Sequence, residues 1–195
     1  MVAETRAKLL AAGRKAFAEI GYADASMDDF TAKVGLTRGA LYHHFGDKRG
    51  LFEAVVTQID AEMSARLKAR AALMPTRWDG FVEEGIGYIE MALEPEIRRI
   101  VLRDGPSVLG DPASWPTANS CVAGMAATLD ALVAEGVLEP LDSLATARML
   151  TGASSYAAGW IANADDPEAV STRATTGYRR LVEGLLPKPG RGAPA

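Results

Sequence analysis

Residues Ser26 to Leu51, SMDDFTAKVGLTRGALYHHFGDKRGL, read as two short helices, a glycine turn between them and the start of a third helix. Ser26 suits the N-cap of the first. Asp28 and Asp29 fall in its first turn, where the helix dipole favours negative charge. Phe30 and Val34 stand four apart on one face, and Gly35 can turn the chain without a Cβ penalty. Thr37 caps the second helix, whose inward face is Ala40, Leu41 and Phe45. A unit so small cannot hold itself together, and nothing in it suggests catalysis. Two short helices joined by a tight glycine-containing turn are the helix-turn-helix pattern, whose second helix can enter the major groove of DNA.

The outward residues of the second helix fit that partner. They are Thr37, Arg38, Gly39, Tyr42, His43 and His44, followed at once by Lys48 and Arg49. Hydroxyls, imidazoles, a phenol and cations are the donors that phosphate oxygens and base edges need. Gly39 removes a side chain where a backbone must come close.

Outward from this stretch the chain reads as helix after helix, about nine in all, with almost no strand signal. Leu10, Gly13, Phe17 and Ile20 recur at helical spacing before a stop at Gly21, and this first helix completes a three-helix head. Asp47 caps a fourth helix reaching about Leu73, roughly 40 Å long, with Leu51, Val55, Ile59 and Met63 as its stripe; Pro75 ends it. Phe81, Val82, Ile86, Ile89 and Leu93 mark a fifth. Ile97 to Leu102 mark a sixth, broken at Gly105-Pro106 before a loop-like GPSVLGDPASWP. A seventh spans about 116–134, an eighth about 142–163 and a ninth about 167–186, the last opened by Pro167 at a first helical position.

The segment LTRGALYHHFGDKRGLFEAV resembles the recognition helix and following segment of the tetracycline-repressor (TetR) family of transcriptional regulators. The resemblance covers roughly residues 3–63, anchored by Gly35, Leu41-Tyr42, Phe45, Lys48 and Leu51. Phe30-Thr31 stand where family members usually carry Ile-Ala, and Val34 where a small Ala is usual; these are packing changes between the two short helices. The resemblance implies phosphate contacts from Thr37, Tyr42, His44 and Lys48, and base contacts from the exposed start of the helix and His43. With Ser26, Arg38, Gly39 and Ala40, these form the expected DNA-binding set. It also implies a helix-turn-helix head over 1–46 (the family-type domain reaching about 63) and a ligand-binding and dimerisation body over 47–186. The run of helices makes the chain all-α, and 187–195, PKPGRGAPA, holds no core residues and is expected to be a flexible tail.

Charge is distributed in keeping with this. The net charge is −4, but residues 1–50 hold eight Lys/Arg against six Asp/Glu, and the remainder thirteen against nineteen. A mildly basic head on an acidic body can bind DNA with the head alone. Cys121 is the one cysteine, so no internal disulfide forms, and a reducing, cytoplasmic location is expected. No signal peptide is apparent and no apolar run approaches the ~18–20 residues of a membrane span, so no membrane partner is expected.

An enzyme is not expected. Cys121 would need a base, yet the only histidines, His43 and His44, lie in the recognition helix, and adjacent helical residues point about 100° apart, poorly placed for joint metal ligation. There is no Gly-rich phosphate loop and no Cys/His ligand spacing, so neither cofactor nor metal is expected.

The body carries two further features. In the eighth helix Met149, Ala153, Tyr156 and Trp160 share one face, and Leu150, Ser154, Ala157 and Ile161 an adjacent one, an apolar band wide enough to need cover on two sides. With the stripe Val170, Ala174, Gly177, Leu181 and Leu185 of the ninth helix, it suggests either a four-helix homodimer interface, as the resemblance also implies, or a larger monomeric core; Ala153, Ala157, Ile161, Ala174, Gly177 and Leu181 are the expected members of the interface. Phe81, Tyr88, Met91, Arg103, Trp115, Cys121, Met125, Tyr156 and Trp160 could line a cavity for a small-molecule effector, as the resemblance implies, or simply pack the core. RIVLRDGPSVLG also resembles a ligand-domain segment found in part of the family. The expected function is a homodimeric repressor of a palindromic operator, released by an unidentified small-molecule effector. The alternative is a helical protein–protein adaptor, or a small-molecule-binding protein, without DNA activity.

Overall fold

The computed structural model describes residues 2–33 and 35–187. Val34, with its expected pairing to Phe30, and residues 188–195 of the expected tail lie outside the described residues. All regular elements of the described residues are helical: α1 (Val2–Asp24), α2 (Met27–Lys33), α3 (Arg38–Phe45), α4 (Lys48–Ala71), α5 (Arg77–Met91), α6 (95–109), α7 (Pro116–Ala134), α8 (Ser143–Ala162) and α9 (Pro167–Glu183). Local chemistry sets where several begin. The side-chain oxygens of Thr37, Asp47, Thr76, Asp142 and Asp166 each accept the backbone N–H three residues on, at 2.7–3.3 Å. Each cap satisfies a donor that the first helical turn would otherwise leave without a partner.

The chain forms two compact units, Met1–Met63 with Glu94–Pro112, and Ser64–Leu93 with Ala113–Ala195. This division falls inside α4, between Met63 and Ser64. Leu51, Phe52, Val55, Val56 and Ile59 on the first half of α4 are buried, and they close the core of the head. Phe17 lies at the centre of that core, edge-on to Phe30 at 5.5 Å and to Phe52 at 5.1 Å. The buried stripe of α1 is Leu9, Gly13, Ala16, Phe17 and Gly21; Gly13 and Phe17 are buried as expected, whereas Leu10 is only half-buried and Ile20 is exposed, their places taken by Leu9 and Ala16. Gly21 adopts φ 81° and interrupts α1 where the stop was expected.

Helix α6 completes the first unit. It opens with one turn (Pro95–Ile97), widens into a π-helical stretch (Arg98–Asp104) and ends in Gly105–Leu109. The expected break at Gly105-Pro106 does not occur. The Gly105 N–H bonds the Ile100 carbonyl five residues back, and this wider register eases the clash a proline ring otherwise makes with the carbonyl four residues before it. Arg14 joins α1 to this helix and to α4, donating from Nε and Nη2 to Glu96 and from Nη1 to Glu62, each at 2.8 Å. Carboxylates on two sides raise its pKa further. The Tyr22 amide, just past the α1 kink, donates to the Asp104 carboxylate at 2.7 Å.

In the second unit α5, α7, α8 and α9 bury Phe81, Ile86, Ile89, Leu129, Leu132, Ala158, Ile161 and Val182. Gly85 lets α5 approach α9, since a Cβ there would meet the Tyr178 ring, with Cζ at 2.7 Å. Arg70 and the α5 carboxylates Glu83 and Glu90 join α4 to α5. Contrary to the sequence expectation, α7 carries one 18-residue window, Thr117–Ala134, with mean hydropathy 1.2, long and apolar enough to cross a membrane by length and composition. Alanines and glycine, rather than large aliphatics, make up much of that window. Of its large side chains, Val122, Leu129 and Leu132 are buried in this unit, and Met125 and Val133 are half-buried.

Candidate nucleic-acid interface

The turn between α2 and α3 is built by backbone bonding. Gly35 sits at φ 65°, its N–H bonds the Ala32 carbonyl at 3.2 Å, and the Leu36 N–H bonds the Thr31 carbonyl at 2.9 Å. This double closure is the Schellman stop, and it needs a residue free to take a positive φ. Phe30 and Thr31, which depart from the family pattern, are both buried; the Thr31 hydroxyl donates to the Met27 and Asp28 carbonyls at 3.2 and 3.1 Å. Thr in place of Ala thus carries its own hydrogen bonds into the interface. At the other end of α3, Gly46 takes φ 77°, and its N–H bonds the Tyr42 carbonyl. Leu41 is the one residue of α3 that is fully enclosed, so the helix rests on a single large anchor and shows its remaining faces.

Thr37, Arg38, Gly39, Tyr42 and His43 are exposed; Ser26, Ala40, His44 and Lys48 are half-buried. The Ser26 carbonyl accepts the Phe30 N–H at 3.2 Å, which puts Ser26 at the N-cap position of α2. Arg38 lies across the Tyr42 ring, 5.9 Å from its centroid, and pairs with Asp28 of α2 at 3.3 Å. The His43 and His44 rings stand edge to face at 5.2 Å. The Lys48 ammonium donates to the Ala23 carbonyl at 3.1 Å and lies 4.5 Å from the centre of the Tyr22 ring, so it also caps the carbonyl end of α1. Arg49 donates from Nε to the Val108 carbonyl of α6. Among the described residues, a Cβ at Gly39 would meet only the Thr37 Oγ1, at 3.8 Å. The Asp28–Arg38 pair and the Lys48 cap escaped the sequence reading, because residues ten and twenty-five apart obey no local spacing rule.

The residues expected around a cavity do not form one set. Phe81, Met91 and Trp115 are buried, Tyr88 and Met125 half-buried, and Met125 accepts the Thr151 hydroxyl on its sulfur at 3.8 Å. Cys121 and Arg103 are exposed, and Arg103 belongs to α6 in the first unit. Tyr156 and Trp160, at 78% and 39% exposed, lie on the outer face of α8, where they line an open surface groove with Arg173 of α9. They stand on the face adjacent to the buried Leu150, Ala157 and Ile161, one position round the helix, and are turned outward.

Of the expected dimer face, Ile161, Ala157 and Ala174 are buried within the single chain, at 0%, 8% and 8% exposed. Ala153 is half-buried, and Gly177 and Leu181 are exposed. What α8 and α9 present outward is Leu144, Met149, Tyr156, Trp160 and Leu181. These are five of the nine large hydrophobics exposed among the described residues.

A glycine-closed turn, a singly anchored second helix and a polar, cationic outer face define a helix-turn-helix DNA-binding protein. Comparison with known proteins narrows the class. Residues 9–55 match the family model of bacterial regulatory proteins of the tetR family, and residues 78–185 match the tetracyclin repressor-like C-terminal domain. The chain belongs to the TetR family of transcriptional regulators. It is 32% identical over 100 residues to the HTH-type transcriptional repressor AcnR of Corynebacterium glutamicum, across 51% of this chain and 52% of that one. It is 36% identical over 64 residues to the HTH-type transcriptional regulator UidR of Escherichia coli K12, across 33% of each. The matched region thus spans 52% or less of the length of these curated relatives. A crystal structure of a TetR-family regulator from Pectobacterium atrosepticum superposes with a TM-score of 0.89 at 50% identity, covering 96% of this chain and 97% of that one.

Proposed function

We propose that the protein is a homodimeric repressor that binds a palindromic operator through α3 and releases it when a small molecule binds the body. The observation that carries this reading is α3 itself: after the Gly35-closed turn, Leu41 alone anchors it, and Arg38, Gly39, Tyr42 and His43 stand exposed on one short helix. Gly39 is compatible with a close partner, since a glycine inside a helix costs about 0.5–1 kcal/mol relative to alanine and only Thr37 Oγ1 lies within 4 Å of its Cβ position among the described residues. A DNA backbone or base edge can then approach the start of α3. Thr37, Tyr42, His44 and Lys48 then contact phosphates, and Arg38 and His43 read bases. Repression, rather than activation, follows the function named for AcnR. The site of action is the bacterial cytoplasm, where the chromosome lies.

The outward apolar residues of α8 and α9 support the dimer, because an exposed patch of this kind marks a surface that another molecule covers. Two-fold pairing presents two α3 helices, with half-site centres about 34–36 Å apart or a multiple of that. For the effector, the buried and half-buried Phe81, Tyr88, Met91 and Met125 offer the apolar, polarisable lining such a ligand needs. Helix α4 contributes residues to both compact units and can carry the signal. Coupling is reciprocal, so operator must weaken the effector by the same factor that effector weakens operator.

Selection from a random duplex library, followed by anisotropy titration of the enriched duplex, tests this function. Enrichment of an inverted repeat, with affinity falling steeply as salt rises, is the expected result. Failure to enrich any sequence would remove the proposed function. A thermal-shift screen of apolar metabolites then supplies an effector probe, and equal probe affinity with and without saturating operator would refute release by that ligand.

A further inference from the structure

Asp28 stands in the first turn of α2 and Arg38 opens α3, on opposite sides of the Gly35 turn. The fold brings Arg38 Nη1 to 3.3 Å from Asp28 Oδ1 and 3.4 Å from Oδ2, while the guanidinium lies over the Tyr42 ring. An acidic group beside the residues that meet DNA repels phosphate, so Asp28 opposes binding unless it does something else there. Asp28 engages Nη1 alone, which leaves the Nε–Nη2 edge of the guanidinium to point elsewhere. That edge carries parallel N–H donors, the geometry that matches O6 and N7 of guanine in the major groove. The Tyr42 ring lies beneath the guanidinium at cation–π range, and Asp28 restrains it at Nη1 from the side.

We propose that Asp28 is a positioning residue that, with Tyr42, holds Arg38 oriented to read a guanine in each half-site of the operator. The inference rests on α3 being the recognition helix and specifies which base pair it selects. Removing the carboxylate frees the arginine to sample other rotamers, which lowers discrimination at one base pair. The same change deletes a negative charge facing phosphate, which raises affinity for all DNA. A helix-dipole role for Asp28 makes a different forecast, since Asp29 lies in the same first turn and supplies the same charge.

The test is selection from a random duplex library with the full chain, its Asp28→Asn, Asp28→Glu, Asp29→Asn and Arg38→Ala variants, and thermal melts of each. Wild type should enrich a G·C pair at one position of each half-site, and Arg38→Ala should lose the preference at that position alone. Asp28→Asn should reduce the same preference by about fivefold, the most an exposed ion pair is worth, while binding random duplex more tightly. Asp28→Glu should restore much of the preference, and Asp29→Asn should leave it intact. Undiminished preference in Asp28→Asn, or an equal loss in Asp29→Asn, would overturn the positioning role while α3 remained the reader. A preference that survives Arg38→Ala would overturn the guanine assignment. No enrichment by wild type would remove both this inference and the function beneath it.

Discussion

Gly39→Ala, within the recognition helix, and Gly50→Ala, just beyond it in α4, should move stability in opposite directions. A Cβ at Gly50 would fall inside the van der Waals envelope of the Phe45 carbonyl oxygen, with Asp47 Oδ1 at 3.6 Å on another side. That oxygen belongs to the backbone at the end of α3. It cannot rotate aside, as the Leu51 methyl 2.8 Å from a Cβ at Gly13 can. Relief requires shifting the end of α3 against the start of α4. Overpacking of this kind costs about 1–3 kcal/mol, which in a chain of 195 residues lowers Tm by roughly 2–12 °C. Gly39 is helical with no positive φ and only open space where its Cβ would stand. Alanine there should add about 0.5–1 kcal/mol, or roughly 1–4 °C, yet weaken operator binding because the methyl enters the space proposed for DNA. Far-UV circular dichroism melts and anisotropy on the selected duplex measure both effects. Gly50→Ala melting at or above wild type would refute the steric reasoning. Gly39→Ala melting below wild type, or binding operator undiminished, would refute the role given to Gly39.

Other outcomes follow from the same geometry. Gly177→Arg and Tyr156→Arg place charge on the exposed face of α8 and α9 and should shift the protein toward monomer by light scattering with the helical signal retained. Ala157→Arg, at a buried position, should instead unfold the body. The Tyr178 pKa is pushed up to about 12, chiefly by burial and then by the Glu84 charge. The folded state therefore holds that proton more tightly than the unfolded chain. The associated stability, about 2–3 kcal/mol, is fully present below pH ~10 and lost as pH rises toward ~12, with Tyr178→Phe removing the slope in urea titrations. Lys48→Ala should weaken binding to all duplexes alike and reduce the salt slope by about one, with some loss of stability because Lys48 also caps α1. An unchanged slope would exclude Lys48 from the phosphate contacts.

The elements were legible where local chemistry decides them. Gly35, Thr37 and Asp47 announce a turn and two helix starts, and each acts as its residue type dictates. The wide apolar band of α8 was also legible, since no single neighbouring layer covers both faces. Which half of that band turns inward was not. Ala157 and Ile161 differ from Tyr156 and Trp160 by one position each, and only the packing against α5, α7 and α9 separates core from surface. Helix α6 was misread because a proline normally ends a helix, whereas a π-register accommodates it. Long-range pairs such as Arg14–Glu96 and Asp28–Arg38 leave no periodic trace.

The central claim, two recognition helices reading one palindrome, is tested most directly by counting chains on a selected duplex and weighing each half-site. Sedimentation velocity gives the stoichiometry, and anisotropy compares the intact duplex with one whose second half-site is scrambled at equal length and salt. The expected result is two chains per intact duplex, with binding about tenfold or more weaker to the scrambled one. One chain per duplex, or equal affinity for both, would contradict it.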